Sequence, residues 1–455
     1  MLSNNQDLVK VARKGNIEVM MQPEDQGSSP KPDIYSREEH PITSQDIDPD
    51  ALKIMQRLIR SGFKAYMVGG GVRDVLLGRK PKDFDITTDA TPRRMKALFS
   101  NSRIIGRRFK LVHVFFGGGK IIEVSTFRDS SDPVEPGDDE GDVQQLAPDN
   151  RYGNEYTDAL RRDITINGLF YDPSTCSIID YVGGIRDLSD RVVRVIGEPS
   201  VRFTEDPVRM VRVVRHAART GFSIDKQAWD AISKMHQDLR QCPAMRVFEE
   251  LKKDLQSGHF IKILRLLAQT QLLDVFLPEL LHDYPAIFAE ESLVTKYVSE
   301  IDERCRIGKE PSVAVVLSIL VLLSKAGATS FLSAQGAAFR SPEDLQEHLS
   351  SCFKSLAVPR RERERIDSIL SAWLSLVLHQ EEAVRPSRII ESSLAEDLII
   401  LLEILGAPED WIAAVEGQSK SRGDDDDGGS RNGRTRRRRG RPGGRGRGRP
   451  ADRVA

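Results

Sequence analysis

Two hydrophobic rhythms divide this chain. Up to about residue 187, short alternating runs are mixed with helical ones. Leu52, Met55, Leu58 and Ile59 recur at helical spacing and predict a helix over Ala51 to Arg60. Ala65 to Val68 reads as a strand, Val72 to Leu77 as a helical stretch, and Phe84 to Thr87 as a second strand. Thr91-Pro92 opens another helix, with Pro at its first position, through Phe99. Val112 to Phe116 and Lys120 to Phe127 alternate apolar and polar residues around Gly117-Gly118-Gly119, the pattern of a hairpin. From Arg202 onward the period is helical, with helices predicted near 206–220, 226–238, 246–256, 259–269, 285–304, 311–325, 342–355, 360–379 and 393–405. No strand-like alternation competes there. The expected fold is an α+β head, a small mixed sheet with helices over about 48–187, followed by an all-α body.

The remaining segments are polar. Residues 1–45 are Pro/Ser-rich and read as a flexible lead, and 129–148, acidic and rich in Pro and Gly, reads as a loop. The chain has a formal net charge of −1, but residues 430–455 hold eleven Arg and one Asp, a net +10, which leaves −11 for residues 1–429. An Arg-Gly-Pro tail without apolar residues to bury is expected to be disordered. Arg436, Arg437, Arg438 and Arg439 form its densest run and suit a polyanion such as RNA, because Arg pairs with phosphate and stacks on bases. A tail that only aids solubility is the plainer alternative. The acidic run Asp424 to Asp427 is placed to fold back on the arginines when RNA is absent. The predicted division is a lead (1–45), a catalytic domain (46–190), a helical nucleotide- and RNA-binding domain (191–285), a C-terminal helical domain (286–418) and the tail (419–455). Met1 to Lys31 lacks an apolar signal core, and the longest apolar runs, Val313 to Leu323 and Ile399 to Leu405, are too short to span a bilayer. Cys176, Cys242, Cys305 and Cys352 lack Cys-x-x-Cys spacing and read as reduced thiols, so a cytoplasmic location is expected.

Chemistry concentrates where the first strand ends in Gly69-Gly70-Gly71 and Asp83-Phe84-Asp85 follows. Glycines let backbone N–H groups approach a triphosphate. Residues i and i+2 of a strand share a face, so Asp83 and Asp85 are expected to look out together. Two such carboxylates suit two Mg²⁺ ions, with Mn²⁺ as a substitute. Paired cations about 3.5–4 Å apart clamp the attacking and leaving oxygens of an in-line displacement. The order strand, glycines, helix, Asp-x-Asp therefore points to nucleotidyl transfer.

Gly69-Gly70-Gly71-Val72-Arg73-Asp74, Leu77-Gly78 and Asp83-Phe84-Asp85 together resemble the signature of the class II polymerase-beta-like nucleotidyltransferases, the branch of tRNA CCA-adding enzymes and bacterial poly(A) polymerases. Arg161-Arg162-Asp163, Asp180-Tyr181-Val182-Gly183-Gly184-Ile185-Arg186-Asp187-Leu188 and Glu205-Asp206-Pro207-Val208-Arg209-Met210-Val211-Arg212 match further motifs of that branch. The resemblance covers roughly residues 37 to 285. It implies nucleotide binding by Gly69, Gly70, Gly71, Arg73, Asp74, Arg161, Arg162, Asp206, Arg209 and Arg212. It also marks Asp163 as an active-site carboxylate beside Asp83 and Asp85, and Glu123 in the strand Ile121 to Phe127 is the other candidate, either at the metal face or toward solvent. Arg161 and Arg162 either grip phosphate and ribose or pair with an acid such as Asp158. Asp206 accepts and Arg209 donates, which matches the adjacent amino group and ring nitrogen of adenine or cytosine but not of guanine or uracil. The pair explains ATP or CTP selection without separating the two.

Arg37 to Ile42, Lys80 to Asp85, Gly106 to His113 and Asp206 to Met210 are closer to the bacterial poly(A) polymerases, and the Arg-rich tail fits that group. The loop at 129–148 and the body beyond about 290 carry no recognisable counterpart. The resemblance implies template-independent addition of AMP from ATP to RNA 3′ ends, of mRNA and small RNA, in mRNA processing and decay. CCA addition to tRNA is the alternative. A catalytically idle RNA-binding protein would not need an intact Asp83, Asp85 and Asp163.

Overall fold

The computed structural model describes residues 30–106, 110–129, 152–281, 286–325, 331–332, 339–355, 358–378 and 392–424. The predicted loop at 129–148, apart from Asp129, and the Arg run 436–439 lie outside them, as do most of the lead and of the tail.

The head is built in the order β1 (Asp33–Tyr35), α1 (Pro49–Arg60), β2 (Ala65–Val68), α2 (Gly70–Leu76), β3 (Asp85–Thr88), α3 (Pro92–Leu98), β4 (Ser102–Ile105), β5 (Leu111–Phe115), β6 (Ile121–Thr126), α4 (Glu155–Leu160), β7 (Leu169–Asp172), β8 (Ser177–Asp180) and α5 (Gly184–Asp190). Its sheet runs β1-β8-β7-β2-β3-β6-β5-β4 among the described residues. β3 and β6 are parallel, Ile86 facing Val124, and the other pairs are antiparallel. Ile86, Val112, Val114, Ile122 and Val124 share one face and pack into the core with Ile54, Met55 and Leu58 of α1 and Met95 of α3. The opposite face carries a second, smaller core of Tyr66, Val68, Phe127, Ala159 and Phe170, and the site lies beside it. α1 starts where the Asp48 carboxylate accepts from the N–H groups of Asp50 and Ala51, with Pro49 beside it. Lys120 at the hairpin tip is bound to Asp48 and Asp50 at 2.5 and 2.8 Å, which fixes β5 and β6 to that end of α1.

Then follow β9 (Val192–Val193), α6 (Pro199–Glu205), α7 (Val208–Thr220), β10 (Ser223–Ile224), α8 (Lys226–Met235), α9 (Ala244–Leu255), α10 (Phe260–Gln269), α11 (Leu273–Phe276), α12 (Leu293–Arg306), α13 (Val313–Leu323), α14 (Pro342–Ser355), α15 (Arg360–Leu378), α16 (Ser392–Leu405) and α17 (Glu409–Asp424). Every residue of α13 is buried, and it packs against α9, α12, α15 and α16 at the centre of the body. That explains its all-round apolar sequence. No helix among the described residues is long and apolar enough to cross a membrane.

Four expectations need correction. The lead is not wholly flexible: Asp33–Tyr35 pairs with β8, and Ile42 is fully buried. The helix expected over 206–220 is α7 and starts at Val208; a separate helix, α6, precedes it and ends before Pro207, which has no N–H with which to continue it. The helix expected from 285 begins at Leu293, where Ser292 caps it. The tail begins later than 419, since α17 runs to Asp424. The two-residue pair β9–β10 is a strand pairing that the helical pattern after Arg202 did not show.

Candidate active site

β3 starts at Asp85, one residue later than the pattern predicts, and Asp83 lies in the segment leading into it. Both residues are accessible to solvent, although protein surrounds the Asp85 carboxyl on most sides. Asp85 pairs with Val68 on β2, the last residue before the glycines. On the other side, Ile86 faces Val124, so the step before places Asp85 beside Glu123 on the same face. The surrounding protein, and then the negative charge of Glu123, push the Asp85 carboxyl up to about 6 against the pull of Arg162; Asp83 adds to the rise. Glu123 is half exposed and lies 3.2 Å from His113 Nε2. Of the two fates open to Glu123, the structure puts it on the face of Asp85.

Gly69 is required twice over. Its φ of 71° and ψ of −138° suit only glycine. A Cβ there would also stand 3.3 Å from Arg162 Nη1, with Asp85 Oδ2 at 4.0 Å. The turn thus brings a bare backbone, a guanidinium and a carboxylate together. Arg162 is held from behind by Asp158 at 2.8 Å and lies over the Phe170 ring at 5.4 Å. Asp158 is fully buried, and its other oxygen takes Arg161 at 3.0 Å. Burial would raise its pKa, but the two guanidiniums outweigh that and lower it. The ion pair considered for these arginines therefore exists, and it aims Arg162 at Gly69.

Arg73 is turned inward. It pairs with Asp74 at 2.8 Å and donates to Asn167 Oδ1 at 2.7 Å, with His216 Nδ1 at 3.4 Å. Burial, and then the charges of Arg73, Arg215 and other arginines, hold His216 well below the usual histidine range, so it is a neutral partner. Arg73 and Asp74 support the α2 turn from beneath, and Gly70 rests against the Arg73 guanidinium.

Asp163 commits its two oxygens to Arg209 at 3.1 Å and Arg212 at 3.0 Å. Arg212 continues to Glu250 at 2.9 Å, Glu250 to Arg215 at 2.5 Å, and Arg215 to Asp254. This alternation of charge runs from the head along α7 to α9. Burial raises the Glu250 carboxyl, but Arg215 and Arg212 outweigh that and hold it at about 2. Asp206 follows α6, accepts from the Val208 N–H at 3.3 Å, and pairs with Arg246 at 2.5 Å. Arg209 also reaches Glu205 at 2.8 Å and the Arg202 carbonyl at 2.8 Å. The i, i+3 pair Asp206 and Arg209 is thus fixed by separate partners.

Sequence reasoning missed the supports Arg202, Arg246, Glu250 and Asp254. The spacing of Arg209, Arg212, Arg215 and Arg219, three or four apart, and of Glu250 and Asp254, four apart, marks two facing charged stripes that signalled them. Among the described residues no three His, Cys, Asp or Glu side chains converge into a ready-made metal cluster. Asp83, Asp85 and Glu123 are nevertheless hard oxygen donors, and the raised Asp85 pKa marks negative charge that a divalent cation would neutralise.

Residues 65–194 match the family described as "Poly A polymerase head domain", and residues 221–283 the one described as "Probable RNA and SrmB- binding site of polymerase A". The chain is 38% identical to the "Poly(A) polymerase I" of Salmonella typhi over 339 residues, 72% of each protein. It belongs to the poly(A) polymerase I family. The Escherichia coli O157:H7 member is 45% identical over 260 residues, 55% of this chain and 54% of that one, so that match spans about half the relative's length. The "CCA-adding enzyme" of Lactobacillus helveticus is 35% identical over 263 residues, 56% of this chain and 63% of that one. In fold, the chain is similar to the Bacillus stearothermophilus CCA-adding enzyme solved in complex with CTP, with a TM-score of 0.55 and 23% identity over 82% of this chain and 83% of that one. The chain is thus similar in sequence to both poly(A) polymerase I and CCA-adding enzymes, and in fold to a CCA-adding enzyme.

Glu250 is the keystone of the charge ladder, with a side chain only 4% exposed between two arginines. Glu250→Ala is expected to lower the stability of the full chain by roughly 3–5 kcal/mol, read by urea denaturation, because two guanidiniums lose their partner. Its folded pKa lies below the unfolded value. The stabilisation is therefore complete above about pH 4.5 and is lost as pH falls toward about 2. An unchanged urea midpoint at neutral pH would show that the ladder does not hold α7 to α9.

Proposed function

We propose that this chain is a template-independent poly(A) polymerase that transfers AMP from ATP to RNA 3′ ends. The observation that carries the reading is the end of the interior strands β2 and β3, where Gly69, Arg162 and Asp85 meet beside Glu123 and Asp83. The Gly69 to Gly71 backbone and Arg162 receive the triphosphate, since a guanidinium fork fits phosphate oxygens. Asp83 and Asp85, with Glu123 at lower weight, hold two divalent cations, Mg²⁺ or Mn²⁺. When bound, such ions supply Lewis-acid stabilisation of the oxygens in an in-line displacement. Asp163 keeps its place as an active-site carboxylate by fixing Arg209 and Arg212, so that it acts on the base site and Glu123 is the better third carboxylate. Asp206 and Arg209, held by Arg246 and Asp163, read the amino group and ring nitrogen of the base.

That pair accepts cytosine as well as adenine, so the preference for ATP rests on the family relatives. Their identities of 38–45% exceed the 34–35% of the CCA-adding enzymes. The acceptors are 3′ ends of mRNA and small RNA in a cytoplasmic setting, and the reaction serves RNA processing and decay. The deciding assay offers each labelled NTP with a generic RNA and with a tRNA lacking its CCA end. A ladder from ATP alone is expected, and Asp85→Asn should reduce it at least a hundredfold while RNA affinity stays within about twofold. A three-nucleotide product requiring CTP and ATP would replace this reading with CCA addition.

The eleven arginines of residues 430–455 serve as an RNA-binding arm for an otherwise acidic chain. Deleting residues 425–455 is expected to weaken RNA binding and flatten its salt dependence, by roughly 0.7 in log–log slope for each phosphate that an arginine no longer neutralises. The chemical step at saturating RNA should be unaffected. An identical salt slope in the shortened chain would refute the role.

A further inference from the structure

The carboxylates sit between two unlike halves of the sheet. β2 flanks β3 on one side and β6 on the other. The β2 side carries Gly69 and Arg162, with Asp163, Arg209 and Arg212 behind them. That half is committed to the incoming nucleotide. An in-line displacement needs the attacking hydroxyl on the side opposite the leaving pyrophosphate, which is the side of β6, β5 and β4.

Among the described residues the face there is largely exposed and is continuous with Asp85. Asp85, Glu123, His113 and Arg103 stand in one row across β3, β6, β5 and β4. The next row toward the hairpin tip pairs Phe115 directly with Ile121, and these side chains are 37% and 47% exposed. A cross-strand pair of large apolar residues left open in a folded chain calls for an occupant. Phe115 is the diagonal neighbour of Glu123, roughly 7–8 Å away, a distance of about one nucleotide step. His113 meets the Phe115 ring edge-on with centroids 6.3 Å apart, which limits its rotation. The hairpin is held to α1 by Lys120, so the platform is rigid. The Arg103 guanidinium has no side-chain partner among the described residues and is exposed, in place for a backbone phosphate.

The geometry points to a subsite for the 3′-terminal nucleotides of single-stranded RNA on the open face of β5 and β6, with a base stacked on Phe115 and Ile121 and a phosphate at Arg103. This rests on the nucleotidyl-transfer reading above. An aromatic ring with a cation beside it accepts any base, because every base offers a π-face. The subsite therefore positions the acceptor without selecting its sequence, which suits an enzyme whose acceptor end changes at each addition. Phe115 is a positioning residue in this account. It orders the end of the chain and takes no part in the transfer itself.

The test compares the full chain with its Phe115→Ala, Ile121→Ala and Phe115→Trp variants, at a salt concentration high enough to screen the tail. Binding of a fluorescein-labelled single-stranded RNA is followed by anisotropy without nucleotide, and adenylation kinetics are measured with RNA and ATP varied in turn. Phe115→Ala is expected to raise the Kd and KM for RNA roughly 5- to 100-fold, the loss of one stacked base. KM for ATP should stay within about twofold, and Phe115→Trp should restore RNA binding. Because Phe115 is exposed, thermal unfolding followed by circular dichroism should be unchanged. RNA affinity and KM within about twofold of the parent in both alanine variants, or a loss that Trp does not restore, would overturn the subsite and leave this face to another partner. If the unaltered chain incorporates no nucleotide, the enzyme reading fails separately, and the anisotropy comparison still decides whether Phe115 holds RNA.

Discussion

The structure turns on an electrostatic conflict at the end of two neighbouring interior strands, β3 and β6. Asp85 lies beside Glu123, Asp83 adds to the negative charge on it, and the Arg162 guanidinium offsets them. Burial by the surrounding protein, and after it the negative charge of Glu123, push the Asp85 carboxyl up to about 6. A fold that needed only stability would place an apolar residue or a second arginine there. Keeping the carboxylates makes sense when divalent cations and a polyphosphate complete the site. The Gly69 turn adds the other half of the arrangement, since its positive φ suits glycine and a Cβ there would crowd the Arg162 guanidinium at 3.3 Å.

Around this frustrated centre the remaining charges are satisfied in depth. Asp158 holds Arg161 and Arg162, Asp163 holds Arg209 and Arg212, and Glu250 joins Arg212 to Arg215. These arginines are thus anchored by acids in both the head and α9. Pre-set guanidiniums lose little freedom when phosphate or base arrives. The ladder also joins the small α+β head to the helical body: Asp163 of the head is linked through Arg212 to Glu250 of α9.

The motif-bearing half of the head was legible in the sequence because glycine and proline punctuate it. The strand before Gly69, the helix at Pro92 and the hairpin around Gly117 to Gly119 stand where the pattern places them. β7 and β8 were not, since Leu169–Asp172 and Ser177–Asp180 are four residues each and carry no polar alternation to announce a strand. β1 was hidden in a polar segment that becomes a strand only by pairing with β8. Motif matching brought Asp163, Arg209 and Arg212 to notice but not their pairing, which joins residues 46 and 49 positions apart. Whether Glu123 faced the site or solvent depended on strand register, a non-local property that no single run of residues encodes.

The central claim, that the crowded carboxylates exist to hold divalent cations, is tested most directly by counting bound Mn²⁺. Electron paramagnetic resonance titration of the full chain with a non-hydrolysable ATP analogue should show two ions per chain. The double variant Asp83→Asn, Asp85→Asn should lose at least one of them while the helical content stays unchanged. Equal stoichiometry and affinity in the parent and the double variant would contradict the account.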